Sequence, residues 1–387
     1  MYQVQAAYIH IPFCRQLCHY CDFVKFYYNE QLATEYLEAL GKEIRTALPG
    51  SNNPIRTIFI GGGTPTALNR EQLITLMETI HHTFDVAGCE EFSIEVNPGD
   101  LDAEKASILK SYGVNRISFG VQVMDDHMLK KLGRHHRVSD VYDNIDLLQQ
   151  QNFTNISLDL IYALPNQTVE HFSQSLDEAM AFELPHYATY ALQIEPKTVF
   201  YQRHQKGKLH RPPEEDEVAM YGILRDTMKK NGKEQYEISN FAKPGYESRH
   251  NLTYWNNDYY YGFGAGAHGY LPGERITNIR PLPAYIKQAM KDGKPVLNID
   301  EIHLKEQMEE EMFLGLRRLR GVDKSSFSDK FGIPFDQLYH APVKKLIRQG
   351  LLQESSNTIQ LTDRGLLLAN RAMAEFLLEN TDLLHVY

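Results

Sequence analysis

Cysteine, tryptophan and long apolar runs are all scarce in this chain of 387 residues, which has four cysteines and one tryptophan. No apolar stretch approaches the roughly 20 residues that a transmembrane helix needs, so no spanning segment is expected. The first residues contain no basic region and no cleavage site, so no secretory signal is expected either. The formal net charge is −10 and no long basic run occurs, which disfavours nucleic acid as a partner. We therefore expect a cytoplasmic protein.

Three of the four cysteines, Cys14, Cys18 and Cys21, lie within eight residues of one another. They follow a predicted strand, Ala6–Pro12, whose final proline removes a backbone donor and so ends it. Spacings of four and three residues let one short loop place three sulfurs around a single inorganic core. A cubane iron–sulfur cluster normally takes four protein ligands, and here no fourth cysteine is nearby. Three thiolates would leave one iron open to a small molecule.

A zinc site is the alternative, because His10 and His19 are close enough in sequence to join the cysteines. Zinc sites usually have two cysteine pairs, or cysteine with histidine, at longer separations. A disulfide is a poor explanation, since the clustered cysteines are odd in number and the chain has the features of a reducing compartment. The spacing favours the cluster.

Predicted strands and amphipathic helices alternate through about the first 230 residues. The strands are predicted at Ala6–Pro12, Arg56–Ile60, Glu91–Val96, Arg116–Val121, Ser157–Tyr162 and Tyr187–Ile194. The helices are predicted at Glu30–Ala47, Arg70–Phe84, Ala103–Ser111, Asp125–Leu132, Val138–Gln150 and Val169–Ala181. Such repeats imply a parallel sheet with right-handed crossovers. Six units favour an α/β fold built as an open, partial (β/α)6 TIM-like barrel, with its functional face at the strand C-termini.

Glycine and polar residues follow the predicted strands at that face. Gly61–Thr66 contains three consecutive glycines, which permit close backbone approach to a ligand. Glu95–Gly99 follows the third strand. Ordinary turn chemistry would explain most of these segments individually, so each remains a weak signal by itself.

The pattern changes after about residue 209, and we predict three regions: a barrel at 1–232, an aromatic and glycine-rich extension that completes the sheet at 233–300, and a C-terminal domain at 301–387. In the extension, His250 is either a satisfied member of a packed aromatic seam or a metal or haem ligand. The last region has a winged-helix-like order of helices and a hairpin, ending in a predicted helix, Leu366–Glu379. Its recognition segment is not strongly basic, which favours an interaction or lid module over DNA binding.

Several motifs, in order and in register, resemble the radical S-adenosylmethionine (SAM) family, and more closely its coproporphyrinogen dehydrogenase-like branch. The motifs are Tyr8–Cys14 with the three cysteines, Gly61–Thr66, Glu95–Pro98, Ser118–Gln122, Leu132–Arg134 and Asp159–Pro165. The resemblance covers essentially the whole chain. It implies a partial barrel of the radical SAM type, a smaller C-terminal α+β extension, a 4Fe-4S cluster on Cys14, Cys18 and Cys21, and SAM on the open iron.

The resemblance also assigns residues to SAM. Contacts with the first SAM would come from Tyr8, Tyr20, Gly62, Gly63, Thr64 and Glu95. A second SAM pocket in the family maps to Gln122, Arg134 and Asp159. Glu95 suits a cationic amino or sulfonium group, and Arg134 offers a fork to a carboxylate.

Two activities occur within this branch. The oxygen-independent coproporphyrinogen III oxidase has a cysteine two residues after the third cluster ligand, where this chain has Phe23. The His-Asn-x-x-Tyr-Trp pattern of His250–Trp255 instead matches a sister group named for binding haem and passing it to acceptor proteins. We therefore expect a haem chaperone, with His250 as the haem-contact candidate.

The oxidase is the alternative, and a winged-helix transcription regulator is the second alternative. Whether the protein is an enzyme is left open, with oxidase activity disfavoured. For a haem chaperone the partners are haem and unidentified haem-accepting proteins, among which respiratory proteins are candidates. Peripheral association with a membrane would then be an option.

Overall fold

Residues 4–378 are described by the computed structural model. The strands are β1 (Ala6–Ile11), β2 (Phe13–Cys14), β3 (Phe26–Tyr27), β4 (Thr57–Gly62), β5 (Glu91–Val96), β6 (Arg116–Gln122), β7 (Ile156–Tyr162), β8 (His186–Ala191), β9 (Glu234–Gln235), β10 (Asn240–Ala242), β11 (Tyr260–Phe263), β12 (His268–Leu271), β13 (Glu274–Asn278), β14 (Val296–Glu301), β15 (Val322–Asp323), β16 (Leu352–Ser355) and β17 (Thr358–Leu361).

The helices are α1 (Glu30–Ala47), α2 (Arg70–Thr83), α3 (Ala103–Ser111), α4 (Asp126–Leu132), α5 (Val138–Gln150), α6 (Val169–Met180), α7 (Val199–Gln205), α8 (Glu214–Lys230), α9 (Arg249–Trp255), α10 (Leu282–Asp292), α11 (Leu304–Gly315), α12 (Lys324–Phe331), α13 (Phe335–Arg348), α14 (Asp363–Leu367) and α15 (Ala369–Met373). Within residues 4–378, no helix has both the length and the apolar character needed to cross a membrane.

One mixed sheet organises most of the chain. Its order is β14-β13-β12-β11-β1-β4-β5-β6-β7-β8-β10-β9. The six strands β1 and β4 to β8 are parallel neighbours, which confirms the predicted partial barrel. The extension adds strands at both edges: β11 runs parallel to β1, and β10 runs antiparallel to β8. The C-terminal ends of the six central strands therefore meet at one face.

Burial and helix capping explain why these segments form. β1, β5 and β7 are buried along almost their whole length, because helices cover the outer face of the barrel sheet and the inner face is enclosed by the barrel itself. Asn29 caps α1 by accepting a hydrogen bond from the Leu32 amide. Asn69 and Gln72 form a capping box at the start of α2.

Several predicted strand boundaries differ from those observed. The first strand ends at Ile11, but pairing resumes at Phe13, so Cys14 lies on the short strand β2. The predicted strand Tyr187–Ile194 ends at Ala191. In the extension, β9 and β10 pair antiparallel as a short hairpin.

The predicted last helix, Leu366–Glu379, is also wrong in part. It is interrupted at Leu368, whose φ of −118° is not helical, and this lets Leu366 and Ala369 both turn into the C-terminal core. Glu379 lies outside the described residues, as do residues 1–3 and 380–387 of the predicted regions.

Two separate sets of apolar side chains form the main cores. The larger set lies between the barrel sheet and its helices and includes side chains of the extension such as Phe263 and Tyr285. The second set comes from residues 308–378. There β15, β17 and β16 form a small antiparallel sheet beside α12 and α13, in the predicted winged-helix-like arrangement. The three-region division of the chain stays a prediction.

A buried carboxylate joins the barrel to the extension. Glu43 of α1 accepts hydrogen bonds from the Gly264 amide (2.9 Å), the Asn278 amide group (2.5 Å) and the Tyr285 hydroxyl (2.5 Å). Burial raises the pKa of Glu43 to about 7. The three donors oppose this rise, because their hydrogen bonds stabilise the ionised carboxylate. The joint therefore depends on this one acceptor.

We predict that Glu43→Ala lowers the free energy of unfolding by about 2–3 kcal/mol, because it leaves buried donors without a partner. Chemical denaturation followed by circular dichroism measures the change. Glu38→Ala is the matched control, since Glu38 is exposed on the same helix, and its effect should stay within about 0.5 kcal/mol. Equal effects of the two substitutions would contradict the role of Glu43.

Candidate functional site

One cavity of about 640 Å³ opens at the C-terminal ends of the barrel strands. All of the residues that the sequence assigned to a site lie on its wall. They are Tyr8, Cys14, Cys18, Tyr20, Cys21, Gly62, Gly63, Thr64, Glu95, Gln122, Arg134, Asp159 and His250. Phe23 also lies on the wall, with 64% of its surface exposed.

The cysteine loop is closed by a short pair of strands. β2 and β3 run parallel, and their register places Cys14 opposite Tyr27. The Phe26 amide donates to the Pro12 carbonyl at 2.7 Å, and the Tyr28 amide donates to the Cys14 carbonyl at 2.9 Å. The two ends of the segment that carries Cys18 and Cys21 are therefore bonded to each other at β2 and β3. This pairing holds the loop closed, although its interior has no helix or strand.

Hydrogen bonds also fix the middle of the loop from outside. The His19 amide donates to the Leu132 carbonyl at 2.9 Å, and His19 Nδ1 lies 2.8 Å from the Lys131 carbonyl. The Phe200 amide donates to the His19 carbonyl at 3.0 Å. The loop is thus held between the end of α4 and the start of α7.

The geometry does not support the zinc alternative. Both ring nitrogens of His10 are engaged, with Tyr8 Oη at 2.9 Å and the Val24 carbonyl at 2.8 Å. His19 is held by the Lys131 carbonyl. Within residues 4–378 no group of three or more His, Cys, Asp or Glu side chains is placed to hold a single metal ion. A cubane needs its thiols farther apart than one ion does, so three cysteines around one cavity remain compatible with a cluster.

Burial sets the protonation of the cysteine thiols. It raises the pKa of Cys14 to about 12, and it also raises the pKa of Cys21. Thr64 Oγ1 donates to Cys14 Sγ at 3.7 Å, and Arg134 Nη1 donates to Cys18 Sγ at 3.4 Å. Thiols in such surroundings keep their protons unless a metal displaces them, so metal binding here would release protons.

Glycines let the second barrel loop approach the cysteines. Gly62 has φ +118°, a conformation that L side chains rarely adopt, and a Cβ there would lie 2.5 Å from the His10 ring. A Cβ on Gly63 would lie 2.8 Å from the Phe13 carbonyl oxygen and 3.0 Å from Cys14 Sγ. Close contact between this loop and β2 therefore requires glycine.

Two carboxyl groups lie on the cavity wall, and neither forms an ion pair in the part of the chain that the structure describes. Glu95 accepts a hydrogen bond from the Gly62 amide at 2.9 Å, and burial raises the pKa of Glu95 to about 7. Asp159 accepts from the hydroxyls of Ser118 (3.2 Å) and Ser157 (3.3 Å), and burial raises its pKa to about 7 as well. A bound cation would favour the ionised form of either group.

The residues predicted for a second SAM pocket lie in the same cavity as the first set. Arg134 is already engaged: besides Cys18, it donates to Asn97 Oδ1 at 2.7 Å and to the Gly120 carbonyl at 2.5 Å. Gln122 has φ +77° at the end of β6. A carboxylate ligand would have to share the Arg134 guanidinium with the cysteine loop.

His250 begins an aromatic wall of the cavity. Its Nδ1 lies 2.9 Å from Thr57 Oγ1, and its Nε2 lies 2.8 Å from Tyr254 Oη. Its ring stacks on Phe59 at 5.3 Å, and Phe59 stacks on Tyr8 at 6.2 Å. Burial lowers the pKa of His250 to about 3, so the ring is neutral. It could bind a metal through Nε2 only after the Tyr254 hydrogen bond breaks.

Glu91 is a supporting residue that no pattern in the sequence indicates. Its buried carboxylate accepts from the amides of Arg249 (2.7 Å) and His250 (3.2 Å) and from the Ser248 hydroxyl (3.2 Å). These contacts anchor the start of α9 on β5 and so place His250 at the cavity. The contact spans 159 residues, and no local pattern signals it. Asn97 and Tyr254, by contrast, lie inside motifs that the sequence did mark.

A partial barrel with three cysteines on one loop is the arrangement of radical SAM proteins. Comparison with known families gives the same class. Residues 8–179 match the Radical SAM superfamily, and residues 302–368 match the HemN C-terminal domain. The solved structure of coproporphyrinogen III oxidase (HemN) from Escherichia coli superposes with a TM-score of 0.84 over 97% of this chain and 90% of that one. Its sequence identity is 23%, so this likeness shows the fold alone.

Sequence relatives define the family more narrowly. The chain is 48% identical to "Heme chaperone HemW" of Bacillus subtilis, over 97% of this chain and 99% of the relative. It is 43% identical to the protein of that name from Lactococcus lactis, over 97% and 98%. For the Escherichia coli protein of that name the identity is 31%, over 96% and 98%. The chain belongs to the HemW family of radical SAM proteins.

The residues present fit the cofactors that this superfamily implies. Three cysteines of one closed loop lie on the wall of a single cavity, and the carboxyl groups of Glu95 and Asp159, which form no ion pair among the described residues, lie on the same wall. Cys14, Cys18 and Cys21 would hold the cluster. The glycine loop and Glu95 would hold the amino acid part of SAM, whose ammonium and sulfonium groups are cationic.

We predict that Gly63→Ala lowers the affinity for the cluster by roughly 10-fold, because the added methyl group pushes against β2 and Cys14. Iron and sulfide per chain after anaerobic reconstitution measure the effect. Gly222→Ala is the control, since a Cβ on this exposed glycine of α8 meets nothing within 4 Å. Full cluster content in Gly63→Ala would show that the loops need not approach this closely.

Proposed function

We propose that the protein is a haem chaperone, which binds haem and transfers it to acceptor proteins, and that it carries a SAM-coordinating 4Fe-4S cluster. The observation that carries the proposal is identity of up to 48% over nearly the full length with proteins named heme chaperone HemW. The large cavity with an aromatic wall supports it, since a porphyrin needs a wide apolar surface.

The cluster, when bound, supplies an electron to the sulfonium of SAM, and the protein places that cofactor and excludes competing reactions. In this proposal Cys14, Cys18 and Cys21 bind the cluster. Glu95 in its ionised form binds the cationic part of SAM, and the Gly62 amide orients the Glu95 carboxylate. Arg134 donates to Cys18 and so keeps positive charge beside the thiolates.

Phe23 argues against the coproporphyrinogen oxidase as the activity. The residue stands where the resemblance to the oxidase would place a further cysteine, and its exposed ring forms part of the cavity rim. An apolar ring cannot donate or accept a proton there, but it can pack against a porphyrin plane.

We also propose a location in the cytoplasm and an acceptor among haem-dependent proteins, with respiratory proteins as candidates. All four cysteines are free thiols, and three of them must remain reduced to bind a cluster. The winged-helix-like module at the C-terminus is proposed as the region that contacts an acceptor.

We predict that SAM affinity of the reconstituted protein rises about 10-fold between pH 6 and pH 8, because the Glu95 carboxyl, with a pKa of about 7, must ionise to attract a cation. Equilibrium binding at the two pH values measures this. Glu95→Gln should bind SAM weakly at both pH values. Because SAM itself titrates equally in both experiments, comparing the two proteins isolates the contribution of Glu95. An equally steep pH dependence in Glu95→Gln would contradict the assignment.

We predict that the wild-type protein binds haem at one per chain and that His250→Ala weakens binding by about 10-fold or more, as expected for loss of an iron ligand. Tyr254→Phe should have the opposite effect, because it frees His250 Nε2, and affinity should rise about fivefold. Titration with haem, followed by the Soret band, measures both. His82→Ala, which changes an exposed histidine of α2, is the control.

Two outcomes would contradict this account separately. Unchanged affinity and spectrum in both His250→Ala and Tyr254→Phe would remove His250 as a ligand without removing haem binding. Formation of protoporphyrinogen from coproporphyrinogen III, in an anaerobic assay with SAM and reductant, would instead support the oxidase.

A further inference from the structure

Two segments of this acidic chain contain no acidic residue at all. Residues 127–139 and 196–213 together contain nine Lys and Arg residues and no Asp or Glu, although the chain has 50 acidic residues and a net charge of −10. The first segment runs from α4 into α5, and the second contains α7. Such a local excess of one charge can attract and steer a partner of the opposite charge.

The fold brings these two segments together. Lys131, Arg203 and Lys208 lie around a small second cavity of about 200 Å³, and we call these three residues the basic patch. All three are exposed, and none forms an ion pair in the part of the chain that the structure describes. The floor of the cavity is apolar and consists of Met128, Leu132, Leu164, Pro165, Phe200 and Leu209. Among residues 4–378, no acidic side chain lines it.

The basic patch lies directly outside the cysteine loop. The carbonyl of Lys131 is the partner of His19 Nδ1, and the amide of Phe200 donates to the His19 carbonyl. The Phe200 ring lies 6.4 Å from the Tyr20 ring. His19 and Tyr20 are the two residues between Cys18 and Cys21. One side of the loop therefore faces the main cavity, and the other side is covered by the segments that carry the patch.

We propose that the basic patch is the docking surface for a small acidic electron-transfer protein that reduces the cluster. The proposal rests on the proposed function, because it requires the cluster on Cys14, Cys18 and Cys21. One electron leaves the reduced flavin or iron–sulfur centre of the donor, which is oxidised by one electron, and enters this chain at the cysteine loop, whose iron centre is reduced by one.

The site has the properties that such an encounter needs. Electron-transfer complexes are small and transient, and complementary charge steers them and sets their orientation. Three unpaired cations around a recessed apolar floor match an acidic surface with an apolar centre. His19, the residue after Cys18, is hydrogen-bonded through its backbone to both segments that carry this surface. A donor bound here would approach the loop without entering the cavity where SAM and haem are proposed to bind.

The test compares two charge-reversal variants of the full-length, anaerobically reconstituted protein. The patch variant is Lys131→Glu, Arg203→Glu and Lys208→Glu. The control is Lys229→Glu, Lys230→Glu and Lys287→Glu, which changes net charge equally at exposed positions of α8 and α10. A purified acidic flavodoxin in its reduced form is the probe. Calorimetry measures its binding, and stopped-flow absorption measures its reduction of the cluster, with dithionite as a reductant that needs no docking.

We expect the patch variant to lose about 10- to 100-fold in flavodoxin affinity and in the rate of cluster reduction, because steering by three charges is reversed. The control should match the wild type, dithionite should reduce all three proteins equally, and high salt should remove the difference. Glutamine at the three patch positions removes the charges without reversing them, and should give an intermediate loss of flavodoxin affinity and reduction rate. This variant keeps the test valid if charge reversal disturbs the cysteine loop.

Equal flavodoxin binding and reduction in the patch and control variants would overturn the docking surface. The docking surface would also be overturned if the patch variant bound flavodoxin normally but lost binding to anionic phosphatidylglycerol vesicles. That result would assign the patch to a membrane. Failure of dithionite to reduce any cluster in the wild type would contradict the proposed function instead. In that case the calorimetric comparison still decides whether the patch binds the acidic probe.

Discussion

The closed cysteine loop is the constraint on which the rest of the site depends. Backbone hydrogen bonds of β2 and β3 fix its two ends, and the carbonyls of Lys131 and Leu132 fix its middle. Because these contacts are to backbone atoms, the loop geometry does not depend on the protonation of any cysteine. Sequence positions 14–21 can vary little in length without breaking them. The loop is therefore a preformed support for three thiols, and for two of them, Cys14 and Cys21, burial by itself disfavours the thiolate.

Buried carboxyl groups give the cavity its second property. Burial raises the pKa of both Glu95 and Asp159 to about 7, so each carboxyl is partly protonated near neutral pH. The Arg134 guanidinium donates to Cys18, Asn97 and Gly120, and Arg116 and Arg134 both oppose the rise in the pKa of Asp159. The site therefore offers two carboxyl groups to a cationic ligand, while its aromatic wall around Phe59 is uncharged. Polar and apolar ligands can thus occupy different sides of one cavity.

Much of this arrangement could be predicted from the sequence, because the barrel is built from local repeats. Periodicity located the six central strands and six helices, and the spacing of the cysteines located the loop. Contacts between distant segments left no such signal. No local pattern places β11 beside β1, ties Glu91 to the start of α9, or pairs both nitrogens of His250. Those contacts depend on how the extension folds back over the barrel, which is a property of packing.

Haem transfer is the central claim, and it separates a chaperone from an oxidase that shares the fold. The most direct measurement loads the reconstituted protein with haem and adds a haem-free b-type cytochrome from a respiratory enzyme, with apomyoglobin as a passive scavenger in a parallel reaction. The account predicts that haem reaches the cytochrome faster than spontaneous dissociation delivers it to the scavenger. Transfer to the cytochrome at the scavenger's rate would contradict the account, because the protein would then only store haem.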